Sequence, residues 1–144
     1  MAAAKEFILG LDVGSVRTGV AIAHGMARLP RPLTTLTNND SIFEAIQKLV
    51  VDEHVARVVV GLPRGMDGGY TEQTRQAEAF QQKLAGMLDV PVELSDETLT
   101  SVQAEAELAG SNYTKADVDA IAACYILESY FTELANQKVE DPGL

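Results

Sequence analysis

At 144 residues, with 47% hydrophobic and 22% charged side chains, the chain has the size and balance of one globular domain with a sizeable core. It carries no apolar run of the roughly 18 residues that a membrane span needs, no leader pattern at Met1–Glu6, and one cysteine, Cys124, too few for an internal disulfide or a structural zinc site. These features exclude the membrane and disulfide-rich classes and lead us to expect a reducing cytoplasm.

The net charge of −10 argues against broad contact with nucleic acid, which needs a basic surface. Its distribution softens that objection. Residues 1–64 hold seven Lys/Arg against six Asp/Glu, and residues 65–144 hold four against fifteen. A phosphate-binding face would therefore draw on Arg17, Arg28, Arg31 and Arg64.

In chain order, Phe7-Ile8-Leu9-Gly10-Leu11 and Gly19-Val20-Ala21-Ile22-Ala23 are short apolar runs joined by a Gly/Ser/Thr-rich stretch, the pattern of a hairpin. A weaker strand is expected over Leu33 to Leu36. Ser41 with Glu44 has the form of a capping box, and Ile42, Ala45, Ile46 and Leu49 give the helix it opens an apolar face. Val58-Val59-Val60 reads as a strand covered on both faces. After Gly61-Leu62-Pro63 comes an expected mobile loop, Arg64 to Gly69, and then a helix from about Thr71 to Leu88. A short strand at Pro91–Leu94 ends at Ser95-Asp96-Glu97. Helices near Ser101 to Ala109 and from about Lys115 to Asn136 follow. This order predicts an α/β fold, a mixed five-stranded sheet with helices on both faces. One domain over residues 1–139 with a frayed tail at 140–144 is expected.

Carboxylates fall where such a sheet does chemistry. Asp12 ends the first strand, and Asp96 and Glu97 end the last, at the same sheet edge if the two strands are parallel. Asp96 could equally cap the next helix. Asp119 shares its helix face with Ala122, Ala123, Ile126, Leu127 and Tyr130, so it is a carboxylate on a core-facing stripe, costly unless paired or bound to metal. Asp117 lies on the far side of that helix and reads as a solvated acid. If Asp12, Asp96, Glu97 and Asp119 converge, their repulsion calls for a divalent cation. All-oxygen ligands then suit Mg²⁺ or Mn²⁺, with Asp12, Glu97 and Asp119 the expected ligand set and the choice between Asp96 and Glu97 open. Two such ions support phosphodiester cleavage. His24 and His54 share no face with these acids and read as surface or packing residues. The glycines make neither a dinucleotide fingerprint nor a P-loop; tight turns and close backbone approach are the expected uses.

With these positions in place, the sequence resembles the YqgF family, also called RuvX, named for Holliday-junction resolvases. The resemblance covers nearly the whole chain. It rests on Leu9-Gly10-Leu11-Asp12-Val13-Gly14-Ser15-Val16-Arg17-Thr18-Gly19, on Val60-Gly61-Leu62-Pro63 with Asp67-Gly68, on Asp96-Glu97-Thr98-Leu99-Thr100-Ser101, and on Val118-Asp119-Ala120-Ile121-Ala122-Ala123. It implies a ribonuclease H-like fold and a metal-dependent endonuclease acting on structured nucleic acid, either in maturation of the 5′ end of precursor 16S ribosomal RNA or in cleavage of branched DNA. It implies catalytic acids at Asp12, in the Asp96-Glu97 pair and at Asp119. Thr98 departs from the arginine usual there, which bears on phosphate contact. Arg17 and Arg64 are the expected nucleic-acid contacts, and monomer and homodimer both stay open. Two other readings are a non-catalytic nucleic-acid or ribosome-assembly binder on the same fold, and a nucleotide-binding fragment of the actin and sugar-kinase type, which would require a second copy of this unit.

Overall fold

The structure is a computed structural model describing residues 6–65, 67–97 and 114–140. The first two apolar runs form β1 (Phe7–Val13) and β2 (Arg17–His24), an antiparallel pair with Asp12 opposite Gly19. β3 (Arg31–Thr37) pairs antiparallel with β2. After α1 (Ile42–Asp52), β4 (Val55–Pro63) runs parallel to β1; after α2 (Glu72–Met87), β5 (Val92–Glu97) runs parallel to β4. The order across the sheet is β3-β2-β1-β4-β5, and α3 (Lys115–Glu140) follows. β5 is thus parallel to β1, and Asp12 and the Asp96-Glu97 pair end their strands at one sheet edge. The expected helix at Ser101–Ala109 lies outside the described residues, as do Met66 and Thr98. α3 runs through Glu140, the first residue of the expected tail, and residues 141–144 are outside the description. Among the described residues no helix is long and apolar enough to cross a membrane.

Strand alternation sorts large residues from small. Leu9, Leu11, Val20, Ile22, Val58, Val60 and Leu62 form one core with Ile42, Ile46 and Val50 of α1 and Ala77 and Leu84 of α2. The opposite face presents Ala21, Ala23 and Val59 to Ala123, Ile126, Leu127 and Tyr130 of α3. The run Val58-Val59-Val60 is therefore covered on both sides, as its lack of alternation predicts.

Glycines let α3 sink into that second face. A Cβ at Gly19 would stand 1.9 Å from the Asp119 carbonyl oxygen, one at Gly10 2.6 Å from Leu127 Cγ, and one at Gly61 2.3 Å from Ile126 Cδ1. Adjacent strands β2, β1 and β4 thus offer a side-chain-free trough. At Gly19 the approach is backbone against backbone.

The helix starts differ in part from the sequence patterns. Ser41 makes no side-chain cap: its φ of −92° and ψ of 0° put it in the helical region, where its hydroxyl does not turn back to the first amides. Asn39 serves instead, its Oδ1 accepting from Ser41 N at 2.9 Å and its carbonyl from Ile42 N at 3.2 Å. Reciprocal caps open the other two helices. Thr71 and Thr74 form one on α2. On α3, Asp117 accepts from Thr114 N and Thr114 Oγ1 accepts from Asp117 N, at 3.0 and 3.2 Å. Asp117, read from the sequence as merely solvated, closes the helix that carries Asp119.

Two glycine substitutions should move stability in opposite directions. Gly19→Ala forces α3 off the sheet and should cost at least about 2 kcal/mol, lowering the melting temperature by roughly 5 °C or more. Gly86→Ala in α2 meets nothing within 4 Å and should stabilise by about 0.5–1 kcal/mol. Thermal melts of both variants check the pair; an unchanged melting temperature for Gly19→Ala would show that α3 does not bear on β2 as described.

Candidate active site

Alternation along β1 sets the direction of Asp12. Gly10, two residues earlier, faces Leu127 of α3, and Gly19, the register partner of Asp12, lies beneath the Asp119 carbonyl. Asp12 therefore ends its strand on the α3 side, next to the turn of α3 that holds Asp119. The two carboxylates feel each other. Burial at the strand end, and then the negative charge of Asp119, push the Asp12 carboxyl from its ordinary 3.8 up to about 6.

Asp119 has a cationic partner. Arg17, the first residue of β2, donates from Nε to Asp119 Oδ2 at 2.8 Å, the two side chains being 34% and 26% exposed. The turn that aims Arg17 is braced. Gly14 N donates to the Arg17 carbonyl at 2.9 Å, Asn38 Nδ2 to the Gly14 carbonyl at 2.6 Å, and the fully buried Thr18 hydroxyl to Asn38 Oδ1 at 2.7 Å. Asn38, which no sequence pattern singled out, fixes the hairpin from β3's end.

The Asp96-Glu97 pair reaches the same edge. Leu62 is the register partner of Asp96 and Pro63 that of Glu97. Asp96 is 69% exposed, with Oδ1 3.5 Å from Arg64 Nη2, a long contact worth little in solvent. Glu97 closes β5; its side chain lies outside the described residues. Arg64 opens a loop whose described residues carry hydrogen bonds of their own. Gly65 N donates to the Gly69 carbonyl at 2.9 Å, Gly68 N to the Gly65 carbonyl at 2.8 Å, and Gly69 N to Asp67 Oδ1 at 2.8 Å. The side chain of Asp67 supplies the acceptor that a composition-based reading overlooks.

The basic face is narrower than the charge count suggested. Arg17 and Arg64 stand at the acidic edge. Arg28 follows the opposite end of β2, its guanidinium 5.4 Å from the Phe131 ring centre, and Arg31 pairs with Ile22 near that same end. His24 packs there too: Nδ1 accepts from Met26 N at 3.1 Å, and Nε2 lies 3.0 Å from Glu6 Oε2. His54 contributes its carbonyl to Glu6 and Phe7. His24 is part-buried and His54 is exposed, and both lie away from the acidic edge.

A second polar group went unread in the sequence. Arg57 Nη1 donates to the Tyr130 hydroxyl at 2.8 Å and to Glu93 Oε2 at 3.1 Å, and Tyr130 donates to Glu93 Oε2 at 2.8 Å. This triad pins α3 to β4 and β5. It becomes visible only once the register brings Glu93 opposite Val59. Further along β5, Ser95 is buried with no partner for its Oγ among the described residues.

Among the described residues two carboxylates meet at this edge, and no group of three metal-ligating side chains is assembled. The pair fits a hard divalent cation. It is all-oxygen, part-buried and mutually repulsive, and a cation between the carboxylates would offset both the burial and the repulsion that raise the Asp12 pKa.

Known proteins resemble this chain closely. The family model described as RuvX, Holliday junction resolvase, matches residues 6–133. A protein of Chloroflexus aggregans named "Putative pre-16S rRNA nuclease" is 41% identical over 138 residues, 92% of this chain and 97% of that one. A protein of the same name from Paraburkholderia phymatum is 36% identical over 143 residues, 98% and 95% of the two chains. Among solved structures, Thermus thermophilus RuvC in complex with a Holliday junction superposes with a TM-score of 0.51 at 15% identity, covering 90% of this chain and 96% of that one. That likeness shows the fold, which is ribonuclease H-like.

The raised Asp12 pKa has a consequence for stability. Unfolded, this carboxyl titrates near 3.8; folded, near 6. Well below pH 3.8 it is protonated in both states. As pH rises through 4 to 6 the unfolded chain releases the proton first, so stability falls across that window and stays lower above it, by about 2–3 kcal/mol. Asp12→Asn should therefore stabilise the metal-free protein at pH 8 and do little at pH 4, as read by denaturant unfolding in a chelator. A difference that does not change with pH would contradict the placement of Asp12.

Proposed function

The chain belongs to the RuvX family of Holliday junction resolvases, and on that premise we propose that it is a metal-dependent endonuclease that matures the 5′ end of precursor 16S ribosomal RNA. The observation that carries this reading is the meeting of Asp12 and Asp119 on the α3 face of the sheet edge, with Arg17 beside them. Precursor rRNA is favoured over branched DNA because the relatives that share about 40% of this sequence carry that name, whereas the junction-binding RuvC shares only the fold.

In this reading Asp12 and Asp119 hold Mg²⁺ or Mn²⁺, with Glu97 as a third ligand. Glu97 is the last residue of β5, the strand whose Glu93 touches Tyr130 of α3. When bound, the cation supplies positive charge to the scissile phosphate and the attacking water. The protein's residues do the rest. Burial at the strand end keeps bulk water from Asp12, Arg17 and Arg64 take phosphate oxygens in the planar geometry guanidinium favours, and the braced hairpin holds Arg17 in register with the acids. Asp96 stands beside this set, paired with Arg64 until substrate competes for it.

The direct test incubates purified protein and Mg²⁺ or Mn²⁺ with 5′-extended 16S precursor and, in parallel, with a four-way DNA junction. The precursor should be cut. Asp12→Asn and Asp119→Asn should each lose at least about a hundredfold in rate, the upper end of what even indirect metal contacts cost. Binding without cleavage would mark a ribosome-assembly factor on this fold, and cleavage of the junction alone would move the substrate to branched DNA. Arg64→Ala should weaken binding regardless of sequence and flatten the salt dependence, since each duplex phosphate contact contributes about 0.9 to the slope of log affinity against log salt. An unchanged slope would remove Arg64 from the nucleic-acid face.

A further inference from the structure

The acidic pair is unevenly neutralised. Asp119 has the Arg17 guanidinium at 2.8 Å, whereas Asp12 has no ion-pair partner among the described residues and stands against the charge of Asp119. Arg17 is one protein-borne cation serving a site with two negative charges.

The arginine is also built to move at its tip and not at its base. Its backbone is tied into the hairpin by Gly14, and the turn is locked by Asn38 and Thr18. Its side chain is one-third exposed, and its bond to Asp119 uses Nε, one of the guanidinium's five donors. An ion pair this exposed adds little to stability, so fold stability alone gives a weak reason for placing it against Asp119.

A divalent cation arriving between Asp12 and Asp119 would meet this guanidinium at close range. Arginine cannot relieve the repulsion by losing its proton; it must find another anion. A phosphodiester at the same edge offers one with matching geometry.

We propose that Arg17 is an exchangeable counterion, holding Asp119 in the metal-free protein and passing to a substrate phosphate as the cation takes the carboxylates, so that metal and nucleic acid bind with positive cooperativity. This rests on the metal-dependent nuclease reading above and adds a coupling to it. By linkage, each ligand raises the affinity of the other by the same factor.

The test measures Mn²⁺ affinity by the loss of the free-ion paramagnetic signal, with and without a non-cleavable phosphorothioate RNA spanning the 5′ end of 16S rRNA. In the wild-type protein the RNA should tighten Mn²⁺ binding by about fivefold or more. In Arg17→Ala, Mn²⁺ alone should bind several-fold more tightly than in the wild type, because its competitor is gone, and the effect of RNA should shrink toward none. Arg17→Gln should behave like the alanine variant, and it decides the matter if that variant fails to fold. Arg17→Lys, with the charge but not the planar fork, should keep part of the coupling. If removing Arg17 leaves Mn²⁺ affinity unchanged or weaker, or leaves the RNA effect intact, the exchange is overturned while the nuclease reading stands. If the wild-type protein takes up no Mn²⁺ with or without RNA, both fall together.

Discussion

The carbonyl of Asp119 sits where a side chain of β2 would otherwise be. Only a glycine at position 19 permits this, since any Cβ would stand 1.9 Å from that oxygen, and Gly10 and Gly61 extend the same allowance across β1 and β4. The depth at which α3 rides on the sheet is therefore set by missing side chains. Depth decides chemistry, because Asp12 is the register partner of Gly19. A helix raised by a methyl group or two would carry Asp119 away from Asp12 and leave two unrelated acids, one at a strand end and one on a helix.

The remaining features serve that contact. Most of the large side chains of β1, β2 and β4 turn to the other face, where α1 and α2 cover them, leaving mainly small residues, with Ile8 and Val59, for α3. The Thr114–Asp117 cap starts α3 just before Asp119, and the Arg57–Glu93–Tyr130 triad fixes the helix further along. A part-buried like-charged pair is unfavourable for folding, and Arg17 offsets it only in part. The site thus carries a standing electrostatic cost in the metal-free protein, which a cation and a polyanion together would relieve.

Much of this was legible in the sequence. The five strands follow from apolar runs and turns, and Asp119 betrayed itself as a carboxylate on an apolar stripe. Asp12 followed from its place at a strand end. Legibility stopped where a reading needs register or backbone conformation. Neighbouring residues of a strand face opposite sides, so Asp96 and Glu97 could be placed at the right edge but not assigned a direction, and Asp96 turns out exposed and beside Arg64. The large–small alternation of Leu9-Gly10-Leu11 and Gly19-Val20-Ala21-Ile22-Ala23 encodes the trough for α3, yet it reads as a plain apolar hairpin until α3 is laid across it. Ser41 matched a capping pattern that its helical backbone angles prevent it from using. Arg28 and Arg31 counted toward a basic face by charge alone, and the antiparallel course of β2 carries them to the far end.

Whether close packing of α3 brings the charge of Asp119 to Asp12 is tested most directly by following the Asp12 side-chain carboxyl by ¹³C NMR across pH in metal-free protein, with Asp119→Asn alongside. The wild-type carboxyl should titrate near 6 and move down when the Asp119 charge is removed. An Asp12 that titrates near 3.8 in the wild type, or one indifferent to Asp119, would contradict it.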